Sequence, residues 1–343
     1  MRAPATASAA PSLAPSGGRP APRLTTIQAP VADRLDQVMD EIRRIVVTDF
    51  TLIEEVNQYL LLARGKLFRP TLLLLSSEVG GATRPQAVTL AAVIELVHLA
   101  TLVHDDAVDH SVLRRGLPTV NALWTHQIAI IMGDYLYSRS VTELARLGDL
   151  EAVRVLARAA NEMSVGEMRQ LTSFDALSFS EEDYFRLIEA KTASLMSAAC
   201  ELGALAGVSA HRVPLARFGH HLGMAFQIAD DLLDYTGSEA VTGKPSGHDL
   251  RERKVTLPLV GALAHATEAE IKEIGRFFTR VDPTDEEIAR IIGIVDERGG
   301  LEYARGRASE YAERADAALA GVGAGAPVDA LRGAVVYAVG RSR

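Results

Sequence analysis

Residues 86–109 read QAVTLAAVIELVHLATLVHDDAVD. From Gln86 to His104 the stretch is mostly apolar, too long for a strand and long enough for a central buried helix. It ends in His104-Asp105-Asp106-Ala107-Val108-Asp109, three carboxylates within five residues. Asp105 and Asp109 stand four apart and so share one helix face. A second set, Asp230-Asp231-Leu232-Leu233-Asp234, follows another apolar run and repeats the same spacing. One such cluster is ordinarily a solvated helix end. Two with identical spacing, each closing an apolar helical run, call for bound cations, because carboxylates packed so closely repel one another.

The surrounding chain reads as helix almost throughout. Val31, Leu35, Val38, Met39 and Ile42 recur at three- and four-residue spacing, with Arg34, Asp40 and Glu41 on the other side. Thr267 with Glu270 and Thr284 with Glu287 fit the capping-box pattern, as does Ser180 with Asp183 more loosely. Pro85 fits a first turn, and Pro118-Thr119 can open a helix. No run alternates with period two between hairpin turns, and no internal repeat is visible. The pattern predicts an all-α protein: one domain of about ten or more helices over residues 31–343. Residues 1–30, rich in Ala, Pro, Ser and Gly, are expected to be a disordered tail. A transit peptide is the sharper reading, since Arg2, Arg19 and Arg23 occur there without acids, but the prolines break any amphipathic helix.

Composition narrows the function. A formal charge of −8 in 343 residues argues against nucleic acid as the main partner. The single cysteine, Cys200, rules out an internal disulfide framework and fits a reducing, cytoplasmic setting. The apolar runs near residues 72–75 and 193–205 are short or interrupted by Glu201, so no transmembrane helix is expected. Oxygen-only ligands that retain waters suit Mg²⁺, which usually shares its sphere with substrate phosphates. Basic residues accompany the acids: Gly65-Lys66 and Arg69-Pro70 upstream, Arg114-Arg115-Gly116 after the first cluster, Lys191-Thr192 within an apolar helix, and Gly243-Lys244 and Lys254 after the second. Arginine forks and lysine ammoniums beside such acids point to a phosphate-bearing substrate. No G-x-x-x-x-G-K-[ST] loop is present, so a nucleotide P-loop is excluded.

In their order these motifs resemble the trans-isoprenyl diphosphate synthases, also called polyprenyl synthetases, and most of all those making medium or long chains. The match runs from Asp105-Asp106-Ala107-Val108-Asp109 with Arg114-Arg115-Gly116-Leu117-Pro118, through Gly133-Asp134, Gly166-Glu167 with Gln170, and Lys191-Thr192-Ala193. It continues in Phe226-Gln227-Ile228-Ala229-Asp230-Asp231-Leu232-Leu233-Asp234, Gly247-His248-Asp249-Leu250 and Lys254-Val255-Thr256-Leu257-Pro258. The resemblance implies a helical bundle that joins isopentenyl diphosphate to an allylic diphosphate, farnesyl or geranylgeranyl, and releases pyrophosphate. It implies about three Mg²⁺ ions, contacted most directly by Asp105, Asp109 and Asp230, with Asp106, Asp231 and Asp234 as further candidates. Arg114, Lys191, Lys244 and Lys254 would neutralise the leaving diphosphate. Lys66, Arg69, His98 and Arg115 would hold isopentenyl diphosphate. Thr192 and Gln227 would turn oxygen dipoles toward the allylic cation.

Two positions depart from the family's pattern. Leu67 stands where a second arginine is usual, and Arg253 replaces a glycine before Lys254. Chain length should be set below the first cluster. Ala100 and Thr101 are small where bulky aromatics would form a floor, and Val97 lies a turn further down, so a product beyond geranylgeranyl is expected, of the kind that becomes a quinone side chain. A class I terpene cyclase shares the fold, but it has no use for a second diphosphate site, and aromatics are only 5% of this chain. A short-chain synthase, a regulatory subunit of a heteromeric synthase and a metal-binding scaffold would each share part of the pattern. The resemblance further implies a homodimer, for which the apolar surface of residues 86–104 can serve as interface as well as tunnel, and peripheral membrane association for product release.

Overall fold

The structure is a computed structural model that describes residues 22–62, 65–114, 116–172, 177–237, 247–280 and 282–340. It is almost entirely helical. After a short α1 (Leu24–Gln28) come α2 (Ala32–Val46), α3 (Thr51–Leu62), α4 (Phe68–Glu78) and α5 (Gln86–Val108). A two-residue hairpin, β1 (Leu113–Arg114) with β2 (Leu117–Pro118), leads through α6 (Val120–Leu123) into α7 (His126–Leu147) and α8 (Leu150–Thr172). Next come α9 (Glu181–Ile188), a π-helical turn (Glu189–Ala193) and α10 (Ser194–Leu205), which run on as one continuous helix. Then follow α11 (Arg212–Thr236), the short α12 (His248–Arg251), α13 (Leu257–Leu263), α14 (Glu268–Thr279), α15 (Asp285–Glu297), α16 (Gly300–Ala318) and α17 (Ala326–Gly340).

The central helix is the one quoted first. At 23 residues α5 is about 35 Å long. It is wrapped by α2, α4, α7 and α10, and Leu90 to Ile94 have no exposed surface. Among the described residues it is the one helix long and apolar enough to cross a membrane, and its place in the bundle explains that apolarity. Helix starts follow the caps. Thr267, Thr284 and Ser180 each accept a hydrogen bond from the backbone N–H three residues on, and Glu270, Glu287 and Asp183 return the bond. The amphipathic reading of α2 is realised too, with Val38 and Ile42 buried and Arg34 paired to Glu78 at 2.6 Å.

One expectation is corrected. The stretch assigned to a disordered tail includes an ordered end. Leu24–Gln28 is helical, Ile27 is 2% exposed, and α1 packs on α17. Leu24, Ile27 and Val31 recur at helical spacing, a signal masked by the prolines around them. Residues 1–21 lie outside the described residues. One apolar cluster includes both Ile27 and Ala338, so the two ends of the described chain share a core.

Candidate active site

The C-terminal end of α5 separates its three aspartates by role. Asp105 lines a cavity of about 480 Å³ together with Thr101, Ala100 and Val97, faced by Tyr137 on α7 and Ala157, Ala160 and Met163 on α8. Burial pushes its carboxyl up to about 6, partly opposed by Lys191. Asp106 turns the other way. It is 6% exposed and accepts from Arg114 Nε at 2.8 and 2.9 Å and from Nη2 at 2.8 Å. Asp109 caps the helix and lines a second cavity of about 530 Å³.

The end of α11 divides in the same way. Asp230 is exposed and lines neither of these two cavities. Asp231 is 6% exposed and accepts from the Tyr184 hydroxyl at 2.5 Å and from Gln227 Nε2 at 2.8 Å. Burial drives its carboxyl well above the usual range, and the charge of Asp249 adds to this. Asp234 accepts from the backbone N–H groups of His248 at 3.1 Å and Asp249 at 3.0 Å, and so caps α12. In this structure Asp231, which also lines the second cavity, and Asp234 are hydrogen-bonded to internal partners, and Asp106 is paired with Arg114. A motif spacing cannot show which carboxylates turn inward.

Between the two ends lies the π-helical turn carrying Lys191 and Thr192. The extra residue in this turn is a common feature of functional sites. Glycines let neighbouring helices approach it. A Cβ on Gly166 of α8 would lie 2.6 Å from the Ala190 Cβ, and one on Gly223 of α11 would lie 2.6 Å from the Ala193 Cα. Lys191 lines both cavities, with Nζ 2.5 Å from Glu167 and 2.7 Å from Gln170. The Thr192 hydroxyl donates to Gln227 Oε1 at 2.8 Å. Lys254 closes the second cavity. Burial works against its charge, but Glu252 at 2.7 Å and Asp109 at 3.7 Å outweigh that and push it up to about 12.

The remaining predicted residues fall elsewhere. His98 lines a separate cavity of about 50 Å³ with Gly65 and Leu67, on the side of α5 that faces α2 and α3. Lys66 is exposed, its carbonyl held by Gln28 at 2.9 Å, and Arg69 is half-buried in α4. Arg115 and Lys244 lie outside the described residues. Both departures from the family pattern have left-handed backbones, Leu67 at φ 49° and Arg253 at φ 57°, where an L-residue is strained by roughly 1–2 kcal/mol. Sequence reasoning missed Tyr184, Tyr137 and Met163. Only the position of Tyr184 eight residues before Thr192, two turns along one helix, hinted at a role.

Among the described residues no group of three or more His, Cys, Asp or Glu is spaced to hold a metal by itself. Asp105, Asp109 and Asp230 nevertheless offer hard oxygen donors at the two helix ends, the set that suits a divalent ion completed by ligand oxygens. Two carboxylate-bearing helix ends, with a helix carrying Lys191 between them and a largely apolar cavity below one, define the all-α isoprenoid-synthase class. Comparison with known proteins specifies it. Residues 50–295 match the polyprenyl synthetase family. The chain is 39% identical over 295 residues to the all-trans-nonaprenyl-diphosphate synthase (geranyl-diphosphate specific) of Rhodobacter capsulatus, covering 85% of this chain and 90% of that one. It is 36% identical over 315 residues to heptaprenyl diphosphate synthase component 2 of Geobacillus stearothermophilus, covering 91% and 95%. The polyprenyl synthase of Caulobacter crescentus CB15, solved with calcium and isoprenyl diphosphate, superposes with a TM-score of 0.89 at 33% identity, covering 95% of this chain and all of that one. The chain belongs to the polyprenyl synthetase family and is a prenyl-transferring enzyme.

Proposed function

We propose that the enzyme condenses isopentenyl diphosphate head-to-tail with an allylic diphosphate, farnesyl or geranylgeranyl, to make a medium- or long-chain all-trans polyprenyl diphosphate. One observation carries the chain length. The cavity that begins at Asp105 continues past Thr101, Ala100 and Val97 without a bulky side chain from α5 to close it.

The chemistry follows from placement. The allylic C–O bond breaks and its electron pair leaves on pyrophosphate. The double bond of isopentenyl diphosphate then attacks the allylic carbon, a C–C bond forms, and the released pyrophosphate takes the proton whose loss restores the alkene. Lys191 and Lys254 neutralise the departing diphosphate in a partly buried site, where such contacts are strengthened. Thr192 and Gln227 present oxygen to the cation. Mg²⁺, held by Asp105, Asp109 and Asp230 together with the diphosphate, would supply the further positive charge that makes pyrophosphate a good leaving group. His98, Lys66 and Arg69 are assigned to isopentenyl diphosphate on the resemblance and on the shared surroundings of His98 and the Lys66 loop.

The test is product sizing with purified protein, farnesyl diphosphate, isopentenyl diphosphate and Mg²⁺. Products that stop at geranylgeranyl diphosphate would refute the long-chain reading. For assembly we propose a homodimer through α7 and α8, whose Ile130, Ile131, Val141, Val165 and Met168 are exposed. Light scattering that shows a monomer with activity only after a second subunit is added would replace it with a heteromer, the arrangement suggested by the word component in the name of the Geobacillus relative.

A further inference from the structure

The hydrogen bonds around Asp231 have a direction. Thr192 donates to Gln227 at 2.8 Å, Gln227 donates to Asp231 at 2.8 Å, and Tyr184 donates to the other Asp231 oxygen at 2.5 Å. Every hydrogen points toward one carboxyl group, where the Tyr184 and Gln227 donors oppose the burial that disfavours its charge. A threonine hydroxyl has a single hydrogen, and here it is spent on Gln227, so Thr192 can offer the cavity only lone pairs. The Gln227 amide is fixed as well. Its NH₂ faces Asp231, which leaves its oxygen on the Thr192 side. The relay also spans the π-helical turn. Tyr184 precedes that turn, Thr192 lies in it, and Gln227 and Asp231 stand one turn apart on α11.

We propose that Tyr184 and Asp231 are positioning residues that set the direction of the Thr192 and Gln227 dipoles. This rests on the prenyl-transfer reading and deepens it. Tyr184 lies in the wall of the second cavity, but it is 1% exposed and its hydroxyl is spent on Asp231, so it serves the relay. Without it, one Asp231 oxygen loses its donor and the carboxylate can rotate. The Gln227 amide is then free to turn over. A turned amide presents NH₂ to Thr192, which reverses the threonine hydroxyl and aims a hydrogen where the allylic cation develops. A dipole reversed in a partly buried site acts on the transition state and leaves ground-state diphosphate binding alone.

The experiment uses the full chain with Mg²⁺, farnesyl diphosphate and isopentenyl diphosphate. Tyr184→Phe keeps the buried ring and removes the hydroxyl. Its kcat should fall roughly tenfold to a hundredfold, with KM for both diphosphates within about twofold. In a Gln227→Leu background Tyr184→Phe should cost nothing further, because the tyrosine acts through the glutamine. Losses that multiply, or a kcat that does not change in the single variant, would overturn the proposal. Asp231→Asn covers the case in which Tyr184→Phe folds poorly. The relay requires a fall in kcat with the half-saturating Mg²⁺ concentration unchanged. A roughly tenfold rise in that concentration would place Asp231 in the metal site and defeat the proposal. Wild-type protein without prenyl transfer would instead refute the underlying reading, so the two failures are distinguishable.

Discussion

A bulky side chain at residue 100 should shorten the product, and one at residue 97 should shorten it less. Val97, Ala100, Thr101 and Asp105 lie on one face of α5 and line the same cavity of about 480 Å³. Ala100 lies five residues below Asp105 and Val97 eight, which is about 7.5 Å and about 12 Å along the helix axis. The difference of about 4.5 Å is close to the length of one extended isoprene unit. Ala100→Phe places a ring across the cavity one and a half turns below the first cluster, and Val97→Phe places it one unit further down. The rings enter open space, so the usual overpacking cost of about 1–3 kcal/mol should be small and the melting temperature nearly unchanged. The assay is chromatography of the dephosphorylated products from one primer. Val97→Phe should give a chain one unit longer than Ala100→Phe, both shorter than wild type, with kcat/KM for the first condensation within roughly threefold. Equal lengths, or the shorter chain from Val97→Phe, would refute a path that descends α5. Tyr137→Ala or Met163→Ala should lengthen the product if these side chains limit the far wall.

Three further outcomes are expected. Lys191→Gln should lower kcat by roughly a hundredfold or more, since it removes a charge that faces both cavities, and an unchanged kcat would remove Lys191 from the reaction. Asp105 titrates near 6, above its unfolded value of 3.8, so its contribution to the stability of metal-free protein is full below about pH 4 and lost as pH rises through 6. Below pH 6 Mg²⁺ must displace that proton, so the concentration for half-maximal activity should rise about fivefold from pH 6 to pH 5 and stay level above pH 7; a level curve throughout would contradict the assignment. Gly203→Ala places a methyl 2.6 Å from the Ser76 Cβ and closer still to the Leu73 carbonyl, forcing α10 from α4, and denaturant titration should show a loss of about 1–3 kcal/mol.

The sequence is most legible where local chemistry decides the outcome. Helical period, capping pairs and the apolar length of α5 all act within a few residues, and each appears in the structure at its expected place. Legibility fails where the deciding partner is distant. Tyr184 and Asp231 are 47 residues apart, and nothing near either announces the bond. Tyr137 on α7 and Met163 on α8 reach the cavity from helices distant in sequence from Asp105. Ile27 reads as part of a proline-rich tail until α17, near the far end of the chain, supplies the surface it packs on.

The repeated D-D-x-x-D spacing accordingly encodes two tasks. Asp105, Asp109 and Asp230 keep their carboxylates toward cavity or solvent. Each inward aspartate is bonded to protein, Asp231 while also lining the second cavity, and holds a group that bears on the site: Asp106 holds Arg114, Asp231 holds Gln227, and Asp234 caps the short helix that leads to Lys254. Buried carboxylates are costly unless met by donors, and the two buried ones, Asp106 and Asp231, both are. The two kinds should therefore separate kinetically. Asparagine at an outward position should raise the half-saturating Mg²⁺ concentration, whereas asparagine at an inward one should lower kcat at a constant Mg²⁺ requirement. Asp106→Asn and Asp234→Asn extend the Asp231 test to the other inward positions, and a shift in Mg²⁺ dependence at either would mean that the carboxylate leaves its partner when substrate binds.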